Sequence, residues 1–131
     1  MARGLLDTSV FVALETGRPI EADQLPEESV ISPITLGELQ AGVLVADTVE
    51  IRAVRMNTVQ LAAEVELIAI DERVAASWAL LRNQLGRAGR RVPINDLWIA
   101  ATGLANKLPV YTQDNDFDPL DETSSLKVIR V

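Results

Sequence analysis

With 131 residues, 48% of them hydrophobic, the chain has enough apolar content to bury a core without disulfides or a structural metal, and residues 1–131 read as a single domain. It contains no histidine and no cysteine, which excludes Ser-His-Asp and Cys-His nucleophiles, histidine acid/base pairs, Cys/His zinc sites and any disulfide framework. The formal charge of −7 argues against a broad basic footprint for nucleic acid, although divalent cations would offset part of it where a phosphate sits.

Along the chain, Gly4 to Asp7 predicts a short buried strand, and Asp7-Thr8-Ser9 supplies cap residues for a helix through Val10 to Thr16, stopped by Gly17 and Pro19. Glu21 to Glu28 is polar and acidic, a loop or short helix. Ser29 to Ser32 gives a second strand, with Ser32 as N-cap and Pro33 at the first position of a helix to about Val45. Asp47-Thr48-Val49-Glu50 resembles a capping box opening a helix to about Glu64. Glu66 to Ile70 has strand character, and Asp71 caps a helix with Val74, Ala75, Trp78, Leu81 and Leu85 at helical spacing, closed by Gly86 and Gly89.

After Val92-Pro93-Ile94, Asn95 is expected to cap a helix through Asn106 whose apolar face is Leu97, Ala100, Ala101 and Leu104. Pro109 to Thr112 is a strand, Gln113 to Ser125 a polar loop and Leu126 to Val131 a last strand. Short apolar strands alternating with helices predict an α/β fold with a parallel sheet covered on both faces. The apolar run Leu5 to Leu14 is interrupted by Asp7, lacks a small-residue cleavage pattern and is too short to span a membrane, so a soluble cytoplasmic protein is expected.

Ligands of such sheets bind at the carboxyl ends of the strands, where the following helices also begin. Asp7 ends the first strand, Asp114 lies just past the strand containing Tyr111, and Glu38 and Asp96 fall in the first turns of helices that start on the same rim. Taken singly, each acid has a structural explanation as an N-cap, capping-box partner, dipole-compensating charge or turn residue. Together they present carboxylates without a nearby cation, and Asp7 sits among apolar neighbours where an unpaired charge is costly. A hard divalent ion, Mg2+ or Mn2+, takes oxygen ligands and would offset that cost, while acidifying water for attack on a phosphodiester.

Thr8, Ser9 and Thr112 are weaker candidates for bonding phosphate or bound water, and Asp116 for joining the acids; caps and turns explain each of them as well. Trp78 and Trp98 suit core or dimer packing, and Phe117 a packing anchor. Arg82, Arg87, Arg90 and Arg91 crowd one stretch, either a solvated helix end or a surface for phosphate or a partner.

Four segments carry a resemblance across nearly the whole chain: Gly4-Leu5-Leu6-Asp7-Thr8-Ser9-Val10, Ile34-Thr35-Leu36-Gly37-Glu38-Leu39, Asn95-Asp96-Leu97-Trp98-Ile99-Ala100-Ala101, and Tyr111-Thr112-Gln113-Asp114-Asn115-Asp116-Phe117. In order and separation they resemble the signature blocks of PIN-domain ribonucleases, and the small size resembles the VapC toxins of prokaryotic toxin-antitoxin pairs. The resemblance implies a three-layer α/β/α fold with a central parallel sheet, Mg2+- or Mn2+-dependent endoribonuclease activity, homodimerisation, and inhibition by a VapB-type antitoxin in a hetero-oligomer. It implies Asp7, Glu38, Asp96 and Asp114 as the acidic metal-site residues, Asp116 as an additional acid, and Thr8 or Ser9 and Thr112 as polar neighbours. It leaves open the RNA cut, the number of metal ions in turnover, the particular antitoxin and the role of the arginine cluster.

Three other readings compete. A haloacid-dehalogenase-type phosphatase would use Asp7 as nucleophile, but it needs a second acid where Ser9 stands. A phospho-accepting receiver needs a strand-end lysine, and Lys107 and Lys127 are misplaced for it. A catalytically inactive PIN-fold binding module would keep the fold without turnover, against which the intact quartet of acids speaks.

Overall fold

The structure, a computed structural model, describes residues 2–131. Five strands form one parallel sheet in the order β3-β2-β1-β4-β5: β1 (Arg3–Leu6), β2 (Glu28–Ile31), β3 (Glu66–Leu67), β4 (Val110–Thr112) and β5 (Val128–Arg130). Six α-helices connect them: α1 (Thr8–Thr16), α2 (Pro33–Leu44), α3 (Val49–Ala63), α4 (Glu72–Ala88), α5 (Ile94–Ala105) and α6 (Asp118–Thr123). Because side chains alternate along a strand, Leu5, Val30 and Val110 face one way and pack with Val74, Leu81, Leu97, Phe117 and Leu120 from α4, α5 and the α6 region. Leu6, Ile31 and Tyr111 face the other way, against Val10, Phe11, Leu39 and Ala62 of α1, α2 and α3. The result is the expected three-layer α/β/α arrangement, with apolar side chains on both faces of the sheet.

Local chemistry accounts for most boundaries. Asp7 accepts a bond from the Ser9 amide, and Gly17 closes α1 in the left-handed region at φ 74°, where a side chain would be strained. Ser32 accepts from the Ile34 amide with Pro33 at the start of α2, and Asp71 accepts from the Val74 amide. For α3 the cap is Thr48, whose hydroxyl accepts from the Ile51 amide. Helix α4 runs through Gly86 and stops at Gly89, whose φ is 64°.

The structure corrects four expectations. Asn95 is not a cap: α5 begins at Ile94 with Pro93 before it, which leaves the Asn95 side chain free to turn toward α2. The third strand is two exposed residues rather than Glu66 to Ile70, although the Ile68 amide still donates to the Ile31 carbonyl at 2.9 Å. Gln113 to Ser125 is not all loop, because buried Phe117 and Leu120 pull α6 onto the sheet, with Pro119 in its first turn. The last strand is confined to Val128–Arg130.

The sheet order places the site. Strand β1 lies at the centre, with β2, its successor through α1, on one side and β4 on the other, so connections diverge from a switch point between β1 and β4. Close approach there depends on Gly4, where a Cβ would stand 2.1 Å from the Tyr111 ring. Among the described residues, no helix is long and apolar enough to cross a membrane.

Candidate active site

A cavity of about 440 Å³ opens at that switch point, and Asp7, Glu38, Asp96, Asp114 and Asp116 all line it. Residues scattered along the chain are brought together because α1 and the Gln113 loop leave β1 and β4 side by side, while α2 and α5 present their first turns to the same rim. Thr8 and Ser9 line the cavity too, and Thr112 is fully buried behind it.

The wall formed by β1, α1 and β4 is densely bonded. Asp7 is 2% exposed, and its Oδ2 accepts from Ser9 Oγ at 2.6 Å, Thr112 Oγ1 at 3.0 Å and the Ser9 amide at 3.3 Å. Its Oδ1 accepts no bond among the described residues, leaving one oxygen available on a carboxylate whose orientation is held. Ser9 Oγ in turn accepts from the Gln113 amide at 3.0 Å, and the Asp7 amide donates to the Tyr111 carbonyl at 2.9 Å. Asp114 Oδ1 lies 3.3 Å from the Thr112 hydroxyl and accepts from the Asp116 amide at 3.1 Å. The Gln113 side chain braces this loop by donating to the carbonyls of Pro19 and Val131.

The opposite wall, from α2 and α5, is looser. Thr8 donates to Glu38 Oε1 at 2.6 Å, and Asn95 Nδ2 reaches Glu38 Oε2 only at 3.5 Å. Asp96, half-buried in the first turn of α5, has no side-chain hydrogen bond among the described residues. Burial, followed by the negative charges of Asp7, Asp114, Asp116 and Glu38, pushes its carboxyl up to about 8. Asp7 is also raised, chiefly by burial and further by Asp114, against the hydrogen bonds from Ser9 and Thr112 that favour its ionised form.

The donor set suits a hard divalent ion: every candidate ligand is a carboxylate or hydroxyl oxygen, and the crowding that lifts Asp96 is what a cation would relieve. As the side chains stand, no three acids among the described residues close tightly enough on one point to hold an ion. The fit thus lies in the chemistry of the donors, with the carboxylates still to be drawn in.

All the sequence-predicted acids meet in this cavity, whereas Arg82, Arg87, Arg90 and Arg91 lie outside it. Three participants escaped the sequence reading. Arg18 is the one cation among the cavity's lining residues and forms no ion pair among the described residues. Its position after the left-handed Gly17 was a signal that the backbone turns back there. Asn95 resembled a cap in sequence, and nothing local marked Gln113 as the brace of the acidic loop.

A parallel α/β/α sandwich with carboxylates gathered at its switch point is the arrangement of a PIN domain, and the chain belongs to that family, whose model matches residues 4–122. The chain is 48% identical over 130 residues to ribonuclease VapC5 of Mycobacterium tuberculosis, covering 99% of this chain and 96% of that protein. It is 44% identical over 127 residues to ribonuclease VapC4 of the same organism, covering 96% and 97%. The crystal structure of VapBC-5, a member of the VapBC family of toxin-antitoxin systems from M. tuberculosis, matches with a TM-score of 0.93 at 45% identity over 100% of both chains.

Proposed function

We propose that residues 1–131 act as one PIN domain, a metal-dependent endoribonuclease that is the toxin of a toxin-antitoxin pair. The likeness to two VapC ribonucleases over nearly the whole chain supports the activity class, and the VapBC-5 likeness supports a VapB-type antitoxin as partner in a hetero-oligomer. We place the protein in the cytoplasm and expect it to form homodimers as well. The observation that carries the site assignment is the cavity itself: Asp7, Glu38, Asp96 and Asp114 come from four separate segments and face one another without a paired cation.

In this reading Asp7, Asp96 and Asp114 hold Mg2+ or Mn2+, with Glu38 beside them. When bound, the ion offsets their charge and that developing on the phosphate, and makes water a better nucleophile. Ser9 and Thr112 keep Asp7 Oδ2 occupied, so Oδ1 is the oxygen that would be free to hold the ion. Asp96, which holds a proton readily in the bare site, releases it as the negative charge around it is offset. Glu38 is steadied through Oε1 by Thr8, leaving Oε2 to orient the attacking water and accept its proton. Asp116, at the exposed edge of the acidic loop, adds charge to the rim.

RNA cleavage with Mg2+ or Mn2+, with and without chelator, tests this directly, alongside Asp7→Asn and Asp96→Asn. Equal cleavage in all conditions would sink the mechanism. RNA bound but never cut would instead make the protein a binding module. The phosphatase alternative gains nothing from the structure, since Ser9 donates to Asp7 where that chemistry needs a second acid.

A further inference from the structure

The arginine cluster at the end of α4 is not used by the acidic cavity. Arg90 is paired with Glu122, but Arg82, Arg87 and Arg91 have no carboxylate partner among the described residues. In a chain of net charge −7, three unpaired guanidinium groups on one shoulder form a local exception rather than a background. They border two adjoining hollows of about 400 and 530 Å³, which share Trp78 and Arg82. Trp78 is stacked on Trp98 with ring centroids 5.0 Å apart, and the Arg82 guanidinium lies 5.3 Å from the Trp78 centroid. That contact holds Arg82 in place at its exposed position.

Ile94 lines both the arginine-bordered hollow and the acidic cavity, and it is 66% exposed. It forms a ridge between them, so a chain lying across Ile94 would have one part among the acids and the next among the arginines. Guanidinium groups present flat, permanently charged forks that suit phosphate oxygens. An acidic protein segment would also suit them, but the continuity with the cavity favours a polyanion that has to enter it.

We propose that Arg82, Arg87 and Arg91 form a phosphate track for the single-stranded RNA flanking the bond cut in the acidic cavity, with Ile94 as the ridge the strand crosses. This rests on the ribonuclease reading. The track lets an acidic protein hold a polyanion by putting the attraction beside the acids rather than among them.

The test uses the full chain carrying Asp96→Asn to block cutting, a short fluorescent single-stranded RNA, and anisotropy over a series of salt concentrations. Replacing Arg82, Arg87 and Arg91 together by Gln should lower the slope of log affinity against log salt by about 2, since each phosphate contact on a single strand contributes roughly 0.7. The corresponding Lys variant should restore the slope. Arg87→Gln with Arg91→Gln leaves the Trp78 packing untouched and should lower it by about 1.4. An unchanged slope in the triple Gln variant, while the unsubstituted chain still cuts RNA, overturns the track and leaves the nuclease standing. Loss of antitoxin binding with that slope unchanged assigns the patch to a protein and also overturns it. If the unsubstituted chain neither binds nor cuts RNA, the ribonuclease reading fails and the track with it.

Discussion

The two walls of the acidic cavity are built differently. On the β1/β4 side, Asp7 is held by three donors and the Asp114 loop is braced through Gln113. On the α2/α5 side, Asp96 has no side-chain hydrogen bond among the described residues, and its environment is chiefly burial and like charge. The first wall is organised by bonds that exist without a ligand; the second is held in a strained electrostatic balance. In the proposed function, such a site would separate positioning from responsiveness, with Asp7 setting where a ligand sits and Asp96 registering whether one is there.

The most severe way to break this contrast is to neutralise one carboxylate on each wall. Asp7→Asn and Asp96→Asn should each lower RNA cleavage by at least about a hundredfold, because a site that loses an ionic ligand forfeits several kcal/mol of charge stabilisation in the transition state. Circular dichroism should show both variants folded. Measurable activity in Asp96→Asn with none in Asp7→Asn would mean that only the bonded wall holds the ion.

Acidity offers the next test. An unfolded Asp titrates near 3.8, whereas Asp96 in the folded chain titrates at about 8. Between those values the folded chain retains a proton that the unfolded chain has lost, so stability falls as pH rises through that window and levels off above it. Asp7, shifted in the same direction, adds to the trend. In chelator, the melting temperature should therefore drop between about pH 5.5 and 8.5, with a smaller drop in Asp96→Asn. Added Mg2+ should raise the melting temperature more at the higher pH, where the carboxylates are ionised; an equal rise at both would contradict the assignment of Asp96 as a ligand.

Thr112→Val keeps the shape of the side chain and removes its hydroxyl, leaving the buried Asp7 oxygen short of one donor. Expected losses are about 1–3 kcal/mol of stability by denaturant unfolding and about ten- to a hundredfold in metal affinity. Asn95→Ala should do least. Its contact with Glu38 is long and exposed, so stability should change by less than about 0.5 kcal/mol. A loss of cleavage comparable to that of Thr112→Val would show that the second wall is as rigidly built as the first.

The sequence made most of the framework legible because local rules decide it. Asp7, Ser32 and Asp71 announce helices by their capping chemistry, and alternating short apolar runs imply a covered parallel sheet. The meeting of the four acids was legible as topology, since strand ends and helix starts share one rim. What escaped was settled by tertiary contacts. The acidic Asp118 to Thr123 stretch reads as loop until Phe117 and Leu120 find the core, and β3 shrinks because an exposed edge gives its residues little to pack against. The bracing by Gln113 depends on carbonyls at Pro19 and Val131, one of them 94 positions away, which no local pattern can show.

The hydrogen bond from Thr112 to Asp7 spans 105 positions of the chain, and the Gln113 brace ends on residue 131. During synthesis, Asp7 therefore emerges 105 residues ahead of its partner. A ribosome-bound fragment that stops short of β4 contains Asp7 and Glu38 but not the framework that aims them. Cutting ability should arise only after β4 has left the ribosome, so the ribosome making this protein is spared its action while Asp7 and Glu38 are already exposed.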